Sequence, residues 1–435
     1  MRWIDGQPEN LGHDWLRALA EGKQEERNFI PTVWNAMRRL PTSRSDRRCY
    51  DEASISSSSA GSVPSPLRLV ILMSLSSPWS REVVRHLSGL GVAAHLIEFQ
   101  PRGSAGGYMD YGRRDRASES EWLDLHAASV HRVQTPGSAP WRFVSSARAL
   151  RRIALECNAD LVLTLYGGSL AATAYLSRVR PYAVYAVGSD ILLARSFHKL
   201  VARVALTASA TVLANGNHLA RNVRELAPGA NVAPLYLGVD LAEYSATPGE
   251  AQSLSFVCTR GFVDVYDNAT IVRALGLLGE IPPSLTMKFV SSGPLLEETE
   301  RLADRLIPPS WRDRVVFLGG ASHEELNHIV KSASFYLSAS LSDGTSSSLL
   351  EAMASGLIPI VSDIAANREW IVPETNGLLF SPGDHRELAN QIRRAIKHEP
   401  WMANARIANR KLVEERADAN VNMIKLLEIL NRCLL

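Results

Sequence analysis

Short apolar runs alternate with amphipathic stretches along most of the chain after Leu67, and no other feature of the sequence constrains the fold as much. The runs LRLVILMSL, AAHLIEF and LVLTLY begin at Leu67, Ala93 and Leu161. Strands that alternate with helices build parallel sheets, because a parallel crossover needs a segment about as long as a helix. Such sheets bind ligands beyond the C-terminal ends of their strands. We therefore predict an α/β protein with doubly wound parallel sheets and with sites in the turns that follow the strands.

The alternation is interrupted before Leu67, near residue 247 and after residue 400, which divides the chain into four parts. Residues 1–66 contain two helix-like segments and the stretch PTSRSDRRCYDEASISSSSAGSVPSP, which is too polar to bury a core. We predict an N-terminal helical extension with a Ser/Pro-rich linker at 1–66, Rossmann-like domains at 67–247 and 248–400, and C-terminal helices at 401–435. The leading helices fit a docking or oligomerisation arm as well as a decoration packed on the domain surface.

Composition and charge exclude several classes of protein. A net charge of +2 in 435 residues is too small for a general nucleic-acid binder. The N-terminus MRWIDGQPENLGHDW has no basic region followed by an apolar run, so no signal peptide is predicted. The cysteines lie far apart and form no CxxC pair: Cys49, Cys157, Cys258 and Cys433. We therefore expect a reduced, cytoplasmic protein without a structural zinc site.

The stretch SDGTSSSLLEAMASG, from Ser342 to Gly356, places two carboxylates around a helix start. A buried strand is predicted to end near Leu337, and small polar residues then open an apolar helix that ends at Gly356. The unpaired N–H groups of such a helix start attract anions. Asp343 precedes the helix and Glu351 lies about one turn inside it, so a bound sugar diphosphate would have its sugar near Asp343 and its ribose near Glu351. Taken alone, the two acids also fit an N-cap and a solvated helix carboxylate.

The longer run DGTSSSLLEAMASGLIPIVSDIAANREWI resembles the donor-binding signature of family 4 of the glycosyltransferases, which are retaining enzymes with the two-domain GT-B fold. The resemblance extends over about Leu67 to Leu435 and is strongest in the second domain. It implies that 67–247 is the acceptor-side domain and that 248–400 binds a nucleotide sugar across a cleft. It also implies that the C-terminal helices pack back towards the first domain. The first acid of the signature is usually Glu in the family and is Asp343 here.

The resemblance further implies which residues hold the donor. Arg260, at the end of the predicted strand SLSFVC, matches the cation that grips the donor diphosphate. A lysine usually follows a few residues later, where this chain has Tyr266, so Arg260 has to carry more of the phosphate charge. The expected donor-binding residues are Arg260, Tyr266, Gly293, Gly319, Gly320, Asp343, Gly344, Thr345, Ser346, Ser347, Leu350 and Glu351.

Turns that follow strands of the first domain are expected to face the acceptor. The polar turn SLSSPWS, after the first predicted strand, has serines where family members often have glycines. The segments YGGS and PYAVYAVGSDIL resemble turns that face the cleft in a subset of the family. The expected acceptor-side residues are Ser77, Gly167, Gly168 and Asp190. Asp190 fits an acceptor of a hydrogen bond from a substrate hydroxyl as well as the N-cap of the next helix. Four arginines between 102 and 116 fit a basic lip for an anionic or lipid-phosphate acceptor as well as a solvated loop.

Together these features predict a retaining glycosyltransferase that moves a sugar from a nucleotide diphosphate sugar to a saccharide, lipid-linked or small-molecule acceptor. The resemblance favours a UDP-sugar as the donor. The expected catalytic residues are Arg260, Asp343, Glu351 and Asp190. No cofactor is expected to be required, and the sequence has no DxD pair of the kind that holds a metal. Peripheral contact with the inner face of a membrane and a homo-oligomer stay open.

Two alternative functions remain at this point. A sugar-nucleotide epimerase shares the two-domain architecture but needs acid/base groups in the cleft, and no motif surrounds the candidate histidines His86, His95 and His126. A non-catalytic glycosyltransferase-like partner protein would fit the two departures from the family pattern, Asp343 and Tyr266. Against the second alternative, the matched arginine, the second acid and the helix start all occur together.

Overall fold

Two parallel β-sheets, each with helices on both faces, form the part of the chain that the computed structural model describes. The described residues are 66–101, 116–136, 139–193, 196–245 and 254–435. The predicted N-terminal extension, the arginine-rich loop and the linker near residue 250 lie outside these ranges. The prediction of an α/β protein with two doubly wound domains is confirmed.

The first sheet has its strands at β1 (Arg68–Leu72), β2 (Ala93–Pro101), β3 (Ser129–Thr135), β4 (Leu161–Thr164), β5 (Tyr182–Ala186), β6 (Thr211–Ala214) and β7 (Val232–Pro234). They are parallel and run in the order β3-β2-β1-β4-β5-β6-β7. Leu69 of β1 pairs with Ala94 on one side and with Leu161 on the other. The strand order reverses between β1 and β4, and ligands bind in the crevice at such a reversal.

Helices cover both faces of this sheet, because its strands are apolar on both sides. The helices are α1 (Pro78–Gly89), α2 (Arg116–His126), α3 (Ala139–Glu156), α4 (Ser169–Ser177), α5 (Ser189–Leu192), α6 (Ser196–Thr207) and α7 (Asn217–Leu226). Leu69 and Ile71 belong to the core on one face, whereas Val70 and Leu72 belong to the core on the other. Continuous apolar strands of this kind are typical of a parallel sheet buried on both faces.

The second sheet has its strands at β8 (Ser255–Cys258), β9 (Thr286–Phe289), β10 (Val315–Phe317), β11 (Phe335–Ser338), β12 (Ile358–Ser362) and β13 (Leu378–Phe380). They run parallel in the order β10-β9-β8-β11-β12-β13, so the order reverses between β8 and β11. The helices are α8 (Asn268–Gly276), α9 (Leu296–Leu306), α10 (His323–Lys331), α11 (Ser347–Ala354) and α12 (His385–Ile396). Single 3₁₀ turns lie at Asp264–Tyr266, Arg312–Arg314 and Asn367–Glu369.

Helix starts in this domain follow the capping chemistry of the sequence. Ser322 and Glu325 form a capping box at the start of α10: the Ser322 hydroxyl accepts from the Glu325 N–H, and the Glu325 carboxylate accepts from the Ser322 N–H. Asp384 caps α12, since its carboxylate accepts from the N–H groups of Arg386 and Glu387 at 2.9 Å each.

The C-terminal segment forms two helices, α13 (Met402–Arg416) and α14 (Ala419–Arg432). The break occurs because the Asp418 carboxylate caps the second helix and the backbone on either side pairs with Val239. α13 packs on α11 of the second domain, whereas α14 packs on α1 of the first. Met423, Leu426 and Leu430 complete the core of the first domain. The end of the chain therefore ties the two domains together.

We predict that Gly238→Ala destabilises the fold strongly. Gly238 has a φ of +79°, and a Cβ there would lie 2.6 Å from the Ala417 carbonyl oxygen and 2.8 Å from the Ala419 nitrogen. Gly91 has a φ of +83° with no atom within 4 Å of its would-be Cβ, which makes Gly91→Ala a matched control. The control should lose only the left-handed conformational preference, about 1 kcal/mol. Thermal melting should show a clearly larger loss for Gly238→Ala, and equal losses would contradict the packing described here.

Candidate functional site

The residues that the sequence singled out in the second domain meet where the strand order reverses. Arg260 follows β8 and Asp343 follows β11, and these two strands are paired in parallel, with Phe256 opposite Phe335. Because the C-terminal ends of neighbouring parallel strands lie at one edge of the sheet, the two side chains come together although 83 positions separate them. The site therefore lies at the sheet edge where α/β folds bind ligands.

The helix that starts at this edge has a prepared N-terminus. Ser346 is the N-cap of α11, and its hydroxyl accepts from the Leu349 N–H at 3.3 Å. Within the described residues, no acceptor pairs with the N–H groups of Ser347 and Ser348, the first two residues of the helix. Free N–H groups at the positive end of a helix dipole form a site for an anion. The predicted anion site at the helix start therefore has the required geometry.

A network of polar side chains holds the guanidinium of Arg260 beside this helix start. Its Nη2 donates to Asp343 Oδ2 at 2.5 Å, and its Nη1 donates to the hydroxyls of Ser346 at 2.9 Å and Ser348 at 3.2 Å. Arg260 is only 8% exposed, so these contacts replace water. Its Nε is buried and has no hydrogen-bond partner among the described residues. Sequence analysis identified Ser346 but missed Ser348, the last serine of the same SSS run.

Burial lowers the pKa of the Arg260 guanidinium, but the Asp343 carboxylate and the other groups around the guanidinium together raise the pKa above its usual value. The arginine is therefore charged at any physiological pH. A charge in such a place is tolerated because an opposite charge and two hydroxyls contact it. The site consequently presents a fixed cation next to the N-terminus of α11.

Tyr266 supplies an aromatic face in place of the second cation that the family pattern would have. The Arg260 Cζ lies 3.7 Å from the centre of the Tyr266 ring. At this distance the guanidinium stacks on the ring and gains a cation–π interaction. Tyr266 thus holds the plane of the guanidinium, whereas a lysine at the same position would repel it.

Glu351 lies one turn into α11 and is partly buried. Burial raises the pKa of its carboxyl group to about 7, and the charges of His323 and Arg260 offset only part of this effect. Among the described residues, no hydrogen bond or ion pair occupies the Glu351 carboxylate. The group is therefore free to accept hydrogen bonds from a ligand beside the helix.

The remaining donor-side residues of the prediction fall into two groups. Gly293 has a φ of +153°, and a Cβ there would lie 2.5 Å from the Phe262 carbonyl oxygen, so this turn packs directly on the loop after β8. Gly319 has a φ of +67° and, with Gly320, forms the turn after β10. Leu350 is 1% exposed and belongs to the core under α11. The glycines are placed to line the strand ends, whereas the Leu350 side chain points into the core.

The loop before α11 also touches the first domain. A Cβ on Gly188 would lie 2.7 Å from the Gly344 nitrogen, so the two backbones are in direct contact. Asn215, at the end of β6, accepts from the Thr345 N–H at 3.2 Å and donates through its side chain to the Thr345 carbonyl oxygen at 3.1 Å. Sequence analysis missed Asn215, because nothing in the segment TVLANG indicates a partner 130 positions away.

A second interdomain contact involves Glu369, the acidic residue in NREWIV. Its carboxylate accepts from the N–H groups of Asn217 at 3.0 Å and of His218, at the N-terminus of α7 in the first domain. It also accepts from the Tyr236 hydroxyl at 2.7 Å. A carboxylate at a helix N-terminus is favourable. Glu369 therefore caps a helix of the other domain.

On the acceptor side, Asp190 joins two turns of the first domain. Its carboxylate accepts from the Gly167 N–H at 2.5 Å, the Gly188 N–H at 2.8 Å and the Val187 N–H at 3.3 Å. The N-cap of α5 is Gly188, so Asp190 is not the cap of that helix. Ser77 is the N-cap residue of α1 and is 5% exposed. The contacts of Asp190 explain how the turns at Gly167, Gly168 and Gly188 keep their shape.

In the described ranges of the chain, no group of three or more His, Cys, Asp or Glu side chains is arranged to hold a metal ion. Within the same ranges, no helix has both the length and the apolar character needed to cross a membrane.

Comparison with sequence families places the similarity in the second domain. Residues 273–412 match the family described as Glycosyl transferases group 1. EpsD of Bacillus subtilis (strain 168), named as a glycosyltransferase, is 27% identical over 158 residues, which are 34% of this chain and 40% of EpsD. The sulfoquinovosyl transferase SQD2 of Arabidopsis thaliana is 30% identical over 115 residues, 26% of this chain and 21% of that protein. The chain thus spans less than half the length of these relatives. The match to the family therefore concerns the second domain and the helix that follows it.

Solved structures resemble the whole described fold. Anabaena HepE in complex with UDP superposes with a TM-score of 0.67 at 18% identity, over 84% of this chain and 100% of HepE. Sucrose-phosphate synthase from Thermosynechococcus elongatus has a TM-score of 0.67 at 15% identity, over 84% of this chain and 98% of that protein. At these identities the likeness shows the fold alone. The protein has the two-domain GT-B fold, as the resemblance implied.

The raised pKa of Glu351 predicts a pH-dependent stability. A carboxyl group whose folded pKa is raised to about 7 stabilises the fold most below its unfolded pKa, and this contribution is lost as pH rises through 7. Glu351→Gln removes the titration. The free energy of unfolding of the wild type, relative to Glu351→Gln, should therefore fall by up to about 3 kcal/mol between about pH 4.5 and pH 7.5. Denaturant unfolding at several pH values measures this difference, and a constant difference would contradict it.

Proposed function

We propose that the protein is a retaining glycosyltransferase that moves a hexose from a UDP-sugar to a saccharide, lipid-linked or small-molecule acceptor. The observation that carries the proposal is the buried guanidinium of Arg260 beside the free N–H groups that open α11. A fixed cation and a helix N-terminus at a strand-order reversal are suited to the diphosphate of a nucleotide sugar. Glu351 lies one turn beyond the helix start, and its carboxylate has no partner among the described residues. It is therefore available to bind the ribose.

The donor site divides its contacts among the parts of the ligand. The diphosphate lies against Arg260 and the N–H groups of Ser347 and Ser348. The ribose hydroxyls donate to the free carboxylate of Glu351, one turn further along α11. The sugar lies near Asp343, at the end of the site that touches the first domain. The turns at Gly293, Gly319 and Gly320 are left for the nucleotide base.

Catalysis in this proposal comes from charge stabilisation. As the bond between sugar and diphosphate breaks, negative charge builds on the leaving phosphate oxygens. The helix N–H groups are already oriented towards that charge, and Arg260 stabilises it once the diphosphate has taken its guanidinium. The acceptor approaches from the first-domain turns at Gly167, Gly168 and Ser77, which Asp190 keeps in shape, and a leaving phosphate oxygen takes its proton. No metal has a part in these steps.

The choice of UDP rests on two supports. The resemblance to family 4 favours it, and the structurally similar HepE was solved with UDP and with UDP-glucose. Family 4, the retaining outcome and the acceptor are parts of the proposal. Residence in the cytoplasm, contact with the inner face of a membrane and a homo-oligomer stay predictions from the sequence.

A second candidate is a non-catalytic glycosyltransferase-like partner protein, and one contact favours it. Asp343 neutralises the charge of Arg260 at 2.5 Å, so the site has less net positive charge than a diphosphate site usually has. Such a partner would bind no nucleotide sugar or bind one without turnover. Nothing in the described site favours a sugar-nucleotide epimerase.

We predict that a UDP-sugar raises the melting temperature of the wild type and that Glu351→Ala abolishes this effect. A ligand that binds only the folded state at 100 times its Kd adds about 2.7 kcal/mol to the free energy of unfolding, because stabilisation equals RT ln(1 + [L]/Kd). Thermal unfolding with UDP, GDP, ADP and TDP sugars measures the effect. Glu297→Ala, at an exposed glutamate on α9, is the control and should respond like the wild type. A Glu351→Ala variant that binds and turns over donor normally would overturn the site, and a wild type stabilised by no nucleotide sugar would favour the partner protein.

A further inference from the structure

The guanidinium of Arg260 already has a partner at each of its two Nη atoms, so a diphosphate that binds there competes with these partners. Nη2 is paired with Asp343, Nη1 is shared by two serine hydroxyls, and the Tyr266 ring covers one face at 3.7 Å. Nε is buried away from solvent. Of the present partners, the Asp343 carboxylate alone is an anion. It is therefore the contact that a phosphate would oppose most strongly.

Asp343 is also the partner that is placed to move. Its side chain is 18% exposed, against 9% for that of Arg260. It belongs to the loop before α11, whereas the two serine hydroxyls lie within the first turn of the helix and its cap. A Cβ on Gly188 of the first domain would lie 3.6 Å from the Asp343 carbonyl carbon. The backbone of Asp343 thus lies against the acceptor-side domain, where the transferred sugar has to be.

We propose that Asp343 exchanges partners during donor binding and so determines how well the site distinguishes a nucleoside diphosphate sugar from the nucleoside diphosphate. This inference rests on the proposed function. The carboxylate holds Arg260 until the diphosphate takes the guanidinium, and it then accepts a hydrogen bond from a hydroxyl of the donor sugar. A nucleoside diphosphate without its sugar breaks the ion pair but offers the carboxylate no new partner. The product nucleotide therefore binds less well than the donor and leaves readily.

The ion pair between Asp343 and Arg260 is short, since Asp343 Oδ2 lies 2.5 Å from Arg260 Nη2. A charge-assisted contact of this kind is about twice as strong as a neutral hydrogen bond. A competing phosphate has to overcome it before Arg260 is available.

The test compares the binding of UDP and of UDP-glucose to the full chain by titration calorimetry, for the wild type and for Asp343→Asn. Without the competing carboxylate, Asp343→Asn should bind UDP about tenfold more tightly. UDP-glucose should gain much less, because the variant also loses the contact with the sugar. The preference for the donor over UDP should therefore shrink. Asp304→Asn, which removes the surface pair between Asp304 and Arg312 at 2.8 Å, is the matched control and should leave both affinities unchanged.

Other outcomes separate this inference from the proposed function. If Asp343→Asn weakens the binding of UDP and of UDP-glucose to the same extent, Asp343 only holds Arg260 in place. The proposed exchange of partners is then wrong. Unchanged affinities for both ligands would overturn it as well. If the wild type binds neither ligand, the proposed UDP-sugar donor fails and the inference fails with it. Asp343→Ala repeats the comparison if the asparagine variant does not fold, and melting curves show whether each variant is folded.

Discussion

A buried guanidinium organises the candidate site of this protein. Arg260 is 8% exposed and would be costly to bury alone, yet it contacts a carboxylate, two hydroxyls and an aromatic ring. These partners come from the loop after β11, the first turn of α11 and the 3₁₀ turn after β8. Satisfying one charge therefore determines how three pieces of backbone lie at one sheet edge. The same charge is what makes the edge suitable for a diphosphate.

The contact between the domains depends on small residues and on one carboxylate. The Gly188 and Gly344 backbones approach so closely that neither position has room for a side chain. Around them, Asn215 pairs with the Thr345 backbone and Glu369 caps α7 across the interface. Because α14 packs on α1 while α13 packs on α11, the chain crosses between the domains again at its end. The loop before α11 is thus held from both sides, which places Asp343 between the candidate site and the first domain.

Much of this was predictable from local patterns. The alternation of apolar runs and amphipathic stretches indicated parallel sheets, and parallel sheets bring the ends of their strands to one edge. Capping residues such as Ser322 and Asp384 mark helix starts in the sequence, and the small polar residues before Leu349 indicated the anion site. The helical periodicity at 403–430 continues through Asp418, so it does not reveal the break in the helix. The structure shows that the cap of Asp418 and the pairing with Val239 interrupt the helix there.

Contacts between side chains that lie far apart in the sequence could not be predicted from it. A pattern of residue types predicts that Arg260 and Asp343 share an edge, but not that the two charges meet at 2.5 Å or that Tyr266 stacks on the guanidinium. Likewise, the sequence around Asp190 fits a helix cap or a ligand-binding residue equally well. The three backbone N–H groups that donate to its carboxylate come from turns that follow two different strands, so only the fold brings them together. Periodicity and turn chemistry are local properties of the chain, so the sequence alone predicts them. Which charge neutralises which depends on distances that exist only after the sheets have formed and the two domains have come together.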